Sequence, residues 1–306
     1  MSFVSNSTGA FYERSLNQLS DLRGSLEGLQ NQISTGVRIS RGSEDPAAAS
    51  RLRTLARTER LSEVQEDIAD KLARDLEEAS DTITGVANLL SRARELAILA
   101  ANDPTGESGR DAIAAELVEL EEELFDRANA RTLTGEPQFA GTAAGPAFVR
   151  APDGTVSYNG NTDIATVPIA PGTELERGLT GDQIFQFDVG GTPTSAFAVL
   201  GALSAALQPG SPDPAAAARA AIDGLDAAID TTTRSQTVIG TRRAWVEVVQ
   251  DNQAERALTV AEQQSDLGDT DLGEAVARLQ QTLAALEASQ LSFTRVANLT
   301  LFNALR

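Results

Sequence analysis

Apolar residues return at intervals of three and four near both ends of this chain. Leu19, Leu22, Leu26, Leu29 and Ile33 mark a first stripe. Leu272, Val276, Leu279, Leu283, Leu286 and Phe293 mark a second, with Gln290 taking one of its places. Such spacing returns apolar groups to one helix face about every 3.5 residues, the seam of a coiled coil. A lone helix carrying one stripe is marginal in water. The two stripes therefore bury each other or pack on other copies, and the second outcome makes the chain an assembly subunit. We expect these eleven residues to form an assembly interface.

The first stripe predicts a helix from about Gly9 to Thr35, ended by Gly36 in a left-handed conformation. Ser43-Glu44-Asp45-Pro46 reads as a helix start, with a capping side chain followed by proline in the first turn. The helix it opens keeps Leu61, Val64, Ile68, Leu72, Leu76, Ala79, Ile83, Val86, Leu90, Ala93 and Ala97 on one face, and stops near Asn102-Asp103-Pro104. At about 1.5 Å per residue it forms a rod of roughly 80 Å. A third helix is predicted from Ser108 to about Ala130.

Between roughly 132 and 190 helical periodicity is lost. Short β-type runs appear at Ala147–Val149, Thr155–Tyr158, Ala165–Ile169 and Gln183–Phe187, with turn signals at Pro152-Asp153-Gly154 and Asn159-Gly160-Asn161. Helix returns over Thr194–Leu207 and again from Asp213-Pro214, with Thr231-Thr232-Thr233 as a weak spot and Gly268 as a break. The predicted fold is mainly α with a small β-rich insert: an elongated antiparallel helical bundle formed by the N- and C-terminal halves. Its expected parts are a terminal coiled-coil domain (1–43 and 267–306), a helical rod (44–131 and 192–266) and an outer insert (132–191).

Composition narrows the chemistry. Aromatic residues are 4% of the 306, so the core is expected to be mostly Leu, Ile, Val and Ala. Absence of Cys and His removes disulfides, thiolate nucleophiles, zinc fingers and histidine general bases. The net charge of −19 argues against nucleic acid or a membrane surface as partner. That charge is concentrated in the middle, since residues 1–40 balance to zero and 267–306 to −1. No stretch approaches the roughly 20 apolar residues that span a bilayer. The start of the sequence lacks the pattern of a signal peptide. Glu119, Glu121, Glu122 and Glu123 surround Leu117, Leu120 and Leu124, so they read as a solvated face, not a metal site. Thr180-Gly181-Asp182 reads as turn chemistry, and Trp245, the only tryptophan, as a body-core residue. No catalytic residue, cofactor or metal is expected, and the chain does not read as an enzyme.

Several motifs, in order along nearly the whole chain, resemble the flagellin superfamily. Gln32-Ile33-Ser34-Thr35-Gly36-Val37-Arg38-Ile39 followed by Ser43-Glu44-Asp45-Pro46-Ala47-Ala48-Ala49-Ser50 is similar to its N-terminal signature. The Asp-Pro version is typical of hook–filament junction members more than of filament-forming ones. Gln138-Phe139-Ala140-Gly141, Tyr158-Asn159-Gly160-Asn161, Thr180-Gly181-Asp182-Gln183-Ile184-Phe185 and the terminal Asn298-Leu299-Thr300-Leu301-Phe302-Asn303 also resemble family segments. Arg131–Pro137 departs from the usual segment before Phe-Ala-Gly. The resemblance implies a structural subunit of the bacterial flagellum, exported unfolded through the flagellar type III channel without a cleaved signal. It implies a junction ring between hook and filament, or alternatively a filament-forming flagellin. Implied partners are other copies of the chain, hook-associated protein 1, flagellin and a cytoplasmic export chaperone covering the C-terminal stripe.

Overall fold

In the computed structural model the backbone is described for residues 3–102 and 106–304, and side chains for 10–102 and 106–296. Asp103, Pro104 and Thr105, the expected stop of the second helix, lie outside the described residues, as do the side chains of the Asn298–Asn303 segment. The helices are α1 (Phe3–Thr35), α2 (Pro46–Ala100), α3 (Glu107–Ala128), α4 (Gly181–Phe185), α5 (Ala196–Ala206), α6 (Pro214–Gly268) and α7 (Leu272–Ala304). Three antiparallel hairpins lie between α3 and α5: β1 (Phe148–Arg150) with β2 (Val156–Tyr158), β3 (Thr166–Ala170) with β4 (Thr173–Glu176), and β5 (Gln186–Val189) with β6 (Thr192–Ser195). Two compact units result, one from residues 1–61 with 255–306 and one from 62–254; α2 and α6 contribute to both.

Local chemistry sets the helix ends. Asp45 Oδ1 accepts from the Ala48 amide at 3.0 Å and Asp213 Oδ1 from Ala216 at 2.9 Å, so each carboxylate caps the helix that the next proline opens. The α3 start differs from the expected one: its N-cap is Gly106, and Ser108 lies inside the helix. The Thr231–Thr233 stretch, expected as a weak spot, lies inside the unbroken helix α6. All three hydroxyls bond the carbonyl four residues back, and Thr231 and Thr232 are buried with Ser235. Satisfying each hydroxyl on its own helix lets small β-branched residues serve as packing surface.

In the 62–254 unit, α2 and α6 run antiparallel. Arg94 pairs with Asp226, Gln236 with Thr84, Arg243 with Glu77 and Gln250 with Asp70, which is one unbroken register. Leu72, Leu76, Ile83, Val86, Leu90, Ala93 and Ala97 are buried as their spacing predicts. Leu61 and Val64 break the expected row, being 60% and 55% exposed. Trp245 corrects a second expectation. It is 48% exposed, because α6 turns Val246 and Val249 inward instead.

The insert is built on phenylalanines. Phe139, Phe148, Phe185 and Phe197 are all buried, and Phe185 lies 6.2, 5.1 and 5.6 Å from the other three ring centres. Gln183–Phe187, expected as a strand, is instead the α4 turn followed by β5. The Gln183 side chain folds back to accept from the Thr180 amide at 3.3 Å, which winds the segment into one helical turn and drives Ile184 and Phe185 inward. Gly181 fits because a Cβ there would lie 2.6 Å from the Phe148 ring. The Asn159-Gly160-Asn161 turn is tied into the insert. Asn161 holds Thr142 through both its backbone amide and its hydroxyl, and the Tyr158 hydroxyl sits 3.0 Å from Phe139 O and 2.8 Å from Asn161 O. Pro152-Asp153-Gly154 does form the β1–β2 loop.

Arginines fix the second hairpin. Arg177 pairs with Asp75 on α2 and with Glu136, Arg242 of α6 reaches Glu176 and the Gly178 carbonyl, and buried Gln253 donates to Ile169 O at 2.7 Å. The acidic cluster on α3 is partly paired: Glu122 with Arg150 and Glu123 with Arg127. Burial pushes the Glu121 carboxyl above its ordinary range. Among the described residues no acidic group has the geometry to hold a metal ion, and no helix is long and apolar enough to cross a membrane.

Candidate assembly interface

The α1 and α7 helices lie together in the unit of residues 1–61 and 255–306. Their contact is antiparallel and begins at a backbone clasp. Gly36, at φ +72°, turns the chain out of α1, and its carbonyl accepts from Thr270 N at 2.8 Å. Val37 bridges Asp269, and Arg38 N donates to Gly268 O at 2.7 Å. The Arg38 guanidinium reaches Leu267 O at 2.6 Å, placing positive charge on the carbonyl end of α6. Gln32 Nε2 holds Arg38 O at 2.9 Å. Beyond the clasp, Glu44 accepts from the Arg41 amide and from the hydroxyl and amide of Ser40, and these bonds hold its carboxyl below the ordinary range. The Gln32–Glu44 stretch is thus a register device joining the end of α1 to the α6–α7 corner.

At the far end of the pair the Tyr12 and Phe293 rings meet edge to face, 5.3 Å apart. Between clasp and rings, equal rise along two antiparallel helices sets Leu26 opposite Leu279 and Leu19 opposite Leu286. Burial follows that register. On α1, Leu19 is buried and Leu22, Leu26, Leu29 and Ile33 are half-buried. On α7 the covered positions are Ala275, Leu279, Thr282, Leu286, Ser289, Phe293 and Val296, alternating four and three.

The second stripe therefore splits. Leu279, Leu286 and Phe293 face α1. Leu272, Val276 and Leu283 are 54%, 40% and 38% exposed, and Leu291 with them is 62% exposed. On α1, Leu16 is 55% exposed. Among the described residues the pair covers one apolar row and leaves the other partly exposed. The covered row is itself thin, with Ser15, Thr282 and Ser289 in the seam, and a groove of about 290 Å³ opens beside Phe11, Ser15, Leu19, Ser289 and Phe293. Spacing alone did not find Ala275 or Tyr12. Alanine carries little hydrophobic weight, and a tyrosine reads as apolar only once its ring partner is known.

Residues 7–144 match the family described as the bacterial flagellin N-terminal helical region. The flagellar hook-associated protein 3 of Salmonella typhimurium is 27% identical, and that of Escherichia coli 26% identical; each alignment takes in 97% of this chain and 98% of the relative. By these measures the chain is similar to flagellar hook-associated proteins along nearly its whole length. A solved Vibrio parahaemolyticus structure, described as a flagellar hook-associated protein, has the same fold: TM-score 0.69 at 23% identity, over 74% of this chain and 100% of that one. The N-terminal signature now has a physical content. Gln32, Gly36 and Arg38 make the clasp, and Asp45-Pro46 starts α2.

Proposed function

We propose that this chain is a structural subunit of the bacterial flagellum that forms the junction ring between hook and filament. The observation that carries this reading is the end-to-end alignment with two hook-associated protein 3 chains, which runs through the insert as well as the helical arms. A filament subunit need share only the arms. The exposed apolar row of α7 supplies the physical support. Among the described residues Leu272, Val276, Leu283 and Leu291 form a partly exposed apolar face, on the helix that a subunit would offer to its neighbours. On this reading Leu19, Leu22, Leu26, Leu29, Ile33, Leu279, Leu286 and Phe293 hold the arm together, and the outer row binds sister copies.

Hook-associated protein 1 and flagellin are then the partners on the two sides of the ring. A cytoplasmic chaperone covers the α7 row before export through the flagellar type III channel, and no catalytic chemistry is required. The test is genetic and visual. Cells lacking the chain should carry hooks without filaments and release flagellin into the medium, and the intact chain should restore filaments. Purified chain that grows into long filaments unaided would refute the junction reading.

A further inference from the structure

We infer that neighbouring copies of this chain bind one another through complementary charged rows, the arginines of α2 on one copy against the carboxylates of α6 on the next. This rests on the ring reading above and names the surface that such a ring would use beside its apolar arms. Residues 50–61 hold four arginines against one glutamate, while 255–271 hold five acids against one arginine. Both segments belong to the unit of residues 1–61 and 255–306.

Arg53, Arg57 and Arg60 recur at four and three residues along α2, and all are exposed. Leu61, 60% exposed, adjoins them. They turn away from the inward side of α2, where Glu59 accepts from Gln264 of α6 at 2.9 Å and Leu52 lies 3.5 Å from where a Gly268 Cβ would be. Glu255, Glu262 and Asp266 are exposed on the side of α6 opposite Gln264, with Leu258, 73% exposed, among them. Among the described residues none of these arginines or carboxylates is ion-paired.

The two rows match in length as well as sign. Arg53 to Arg60 and Glu255 to Glu262 each span seven residues, about 10 Å of helix. Antiparallel docking sets Arg53 on Glu262 and Arg60 on Glu255, with the Arg57 stem over Leu258. A chain of net charge −19 repels its own copies at long range, so close contact needs a local patch of opposite sign. Two different surfaces of one chain that bind each other make a head-to-tail interface, which closes into a ring when the rotation allows.

The experiment uses the full chain. One variant carries Arg53→Glu with Arg60→Glu, a second Glu255→Arg with Glu262→Arg; circular dichroism checks that each keeps wild-type helix content. Self-association is measured by sedimentation at low and high salt, and filament growth by complementation of cells lacking the chain. Each variant alone should associate at least about tenfold more weakly than wild type. An equimolar mixture should recover, because each surface then finds its opposite charge in the other variant. Wild-type association should fall as salt rises. Variants that associate and complement like wild type, or a mixture that does not recover, overturn the charge contact and leave the junction reading standing. A wild-type chain that fails to restore filaments removes the junction reading, while sedimentation still decides the charged rows.

Discussion

Phe185→Ala tests whether the insert and the rod share one core. Phe185 is fully buried, and its ring meets Phe139, Phe148 and Phe197 at centre distances of 5.1 to 6.2 Å. Truncating a buried phenylalanine costs about 3–5 kcal/mol in lost transfer energy and residual cavity. Each aromatic pair lost adds about 0.5–1.5 kcal/mol where the neighbours do not close in. The position sits on a one-turn helix held by the Gln183–Thr180 contact, so collapse into the void is limited and the upper part of the range is expected. For a unit of this size that corresponds to a fall in melting temperature of roughly 6–20 °C. Thermal and urea unfolding followed by near-ultraviolet circular dichroism would measure it. Leu133→Ala is the control, since Leu133 is 94% exposed and its loss should stay within about 0.5 kcal/mol. A Phe185→Ala protein within about 1 kcal/mol of wild type would show that the four rings do not form a shared core.

Three further outcomes follow from contacts elsewhere. Burial first, and the negative charge of Asp182 second, push the Tyr158 phenol up to about 12. Its contribution to stability is therefore intact below pH 10 and is lost as pH climbs from there towards 12. An ultraviolet titration should show a late phenolate component that Tyr158→Phe removes. Leu286→Asp, in the covered row, should loosen the α1–α7 pair and speed amide exchange along both helices, whereas Leu283→Asp, in the outer row, should leave exchange unchanged yet abolish filament growth. Equal exchange in the two variants would contradict the assignment of rows. Arg177→Ala should destabilise by about 1–3 kcal/mol, because it leaves Asp75 of α2, whose side chain is 15% exposed, without its ion-pair partner; urea unfolding measures this.

The helix ends could be read from the chain because their causes are local. Asp45 and Asp213 each cap a helix within three residues, and Gly36 turns on its own φ. The strand misassigned at Gln183–Phe187 was not legible for the opposite reason. Ile184, Phe185 and Phe187 suit a strand by type, and only the return of the Gln183 side chain to the Thr180 amide makes the first part helical. A single tryptophan does not say which side of its helix is covered; on α6 the buried positions are its neighbours Val246 and Val249. The clasp at Gln32–Arg38 was visible as a resemblance and not as a mechanism, since its acceptors, Leu267 and Gly268, lie some 230 residues away.

The terminal stripes show most clearly where spacing stops being informative. A helix with apolar residues at 272, 276, 279, 283, 286 and 293 has two adjacent rows, not one, and an antiparallel partner touches only a strip of it. Spacing cannot say which row that strip takes. The clasp decides, because a register pinned at Val37–Asp269 carries Leu26 to Leu279 and Tyr12 to Phe293, and leaves Leu272, Val276 and Leu283 turned outward. The intrachain partner covers one row more fully than the other, so on the proposed reading the same leucine periodicity serves two contacts. On the proposed reading the inner row sets how the arm holds its shape and the outer row what the arm binds, and a substitution in one should be separable by experiment from a substitution in the other.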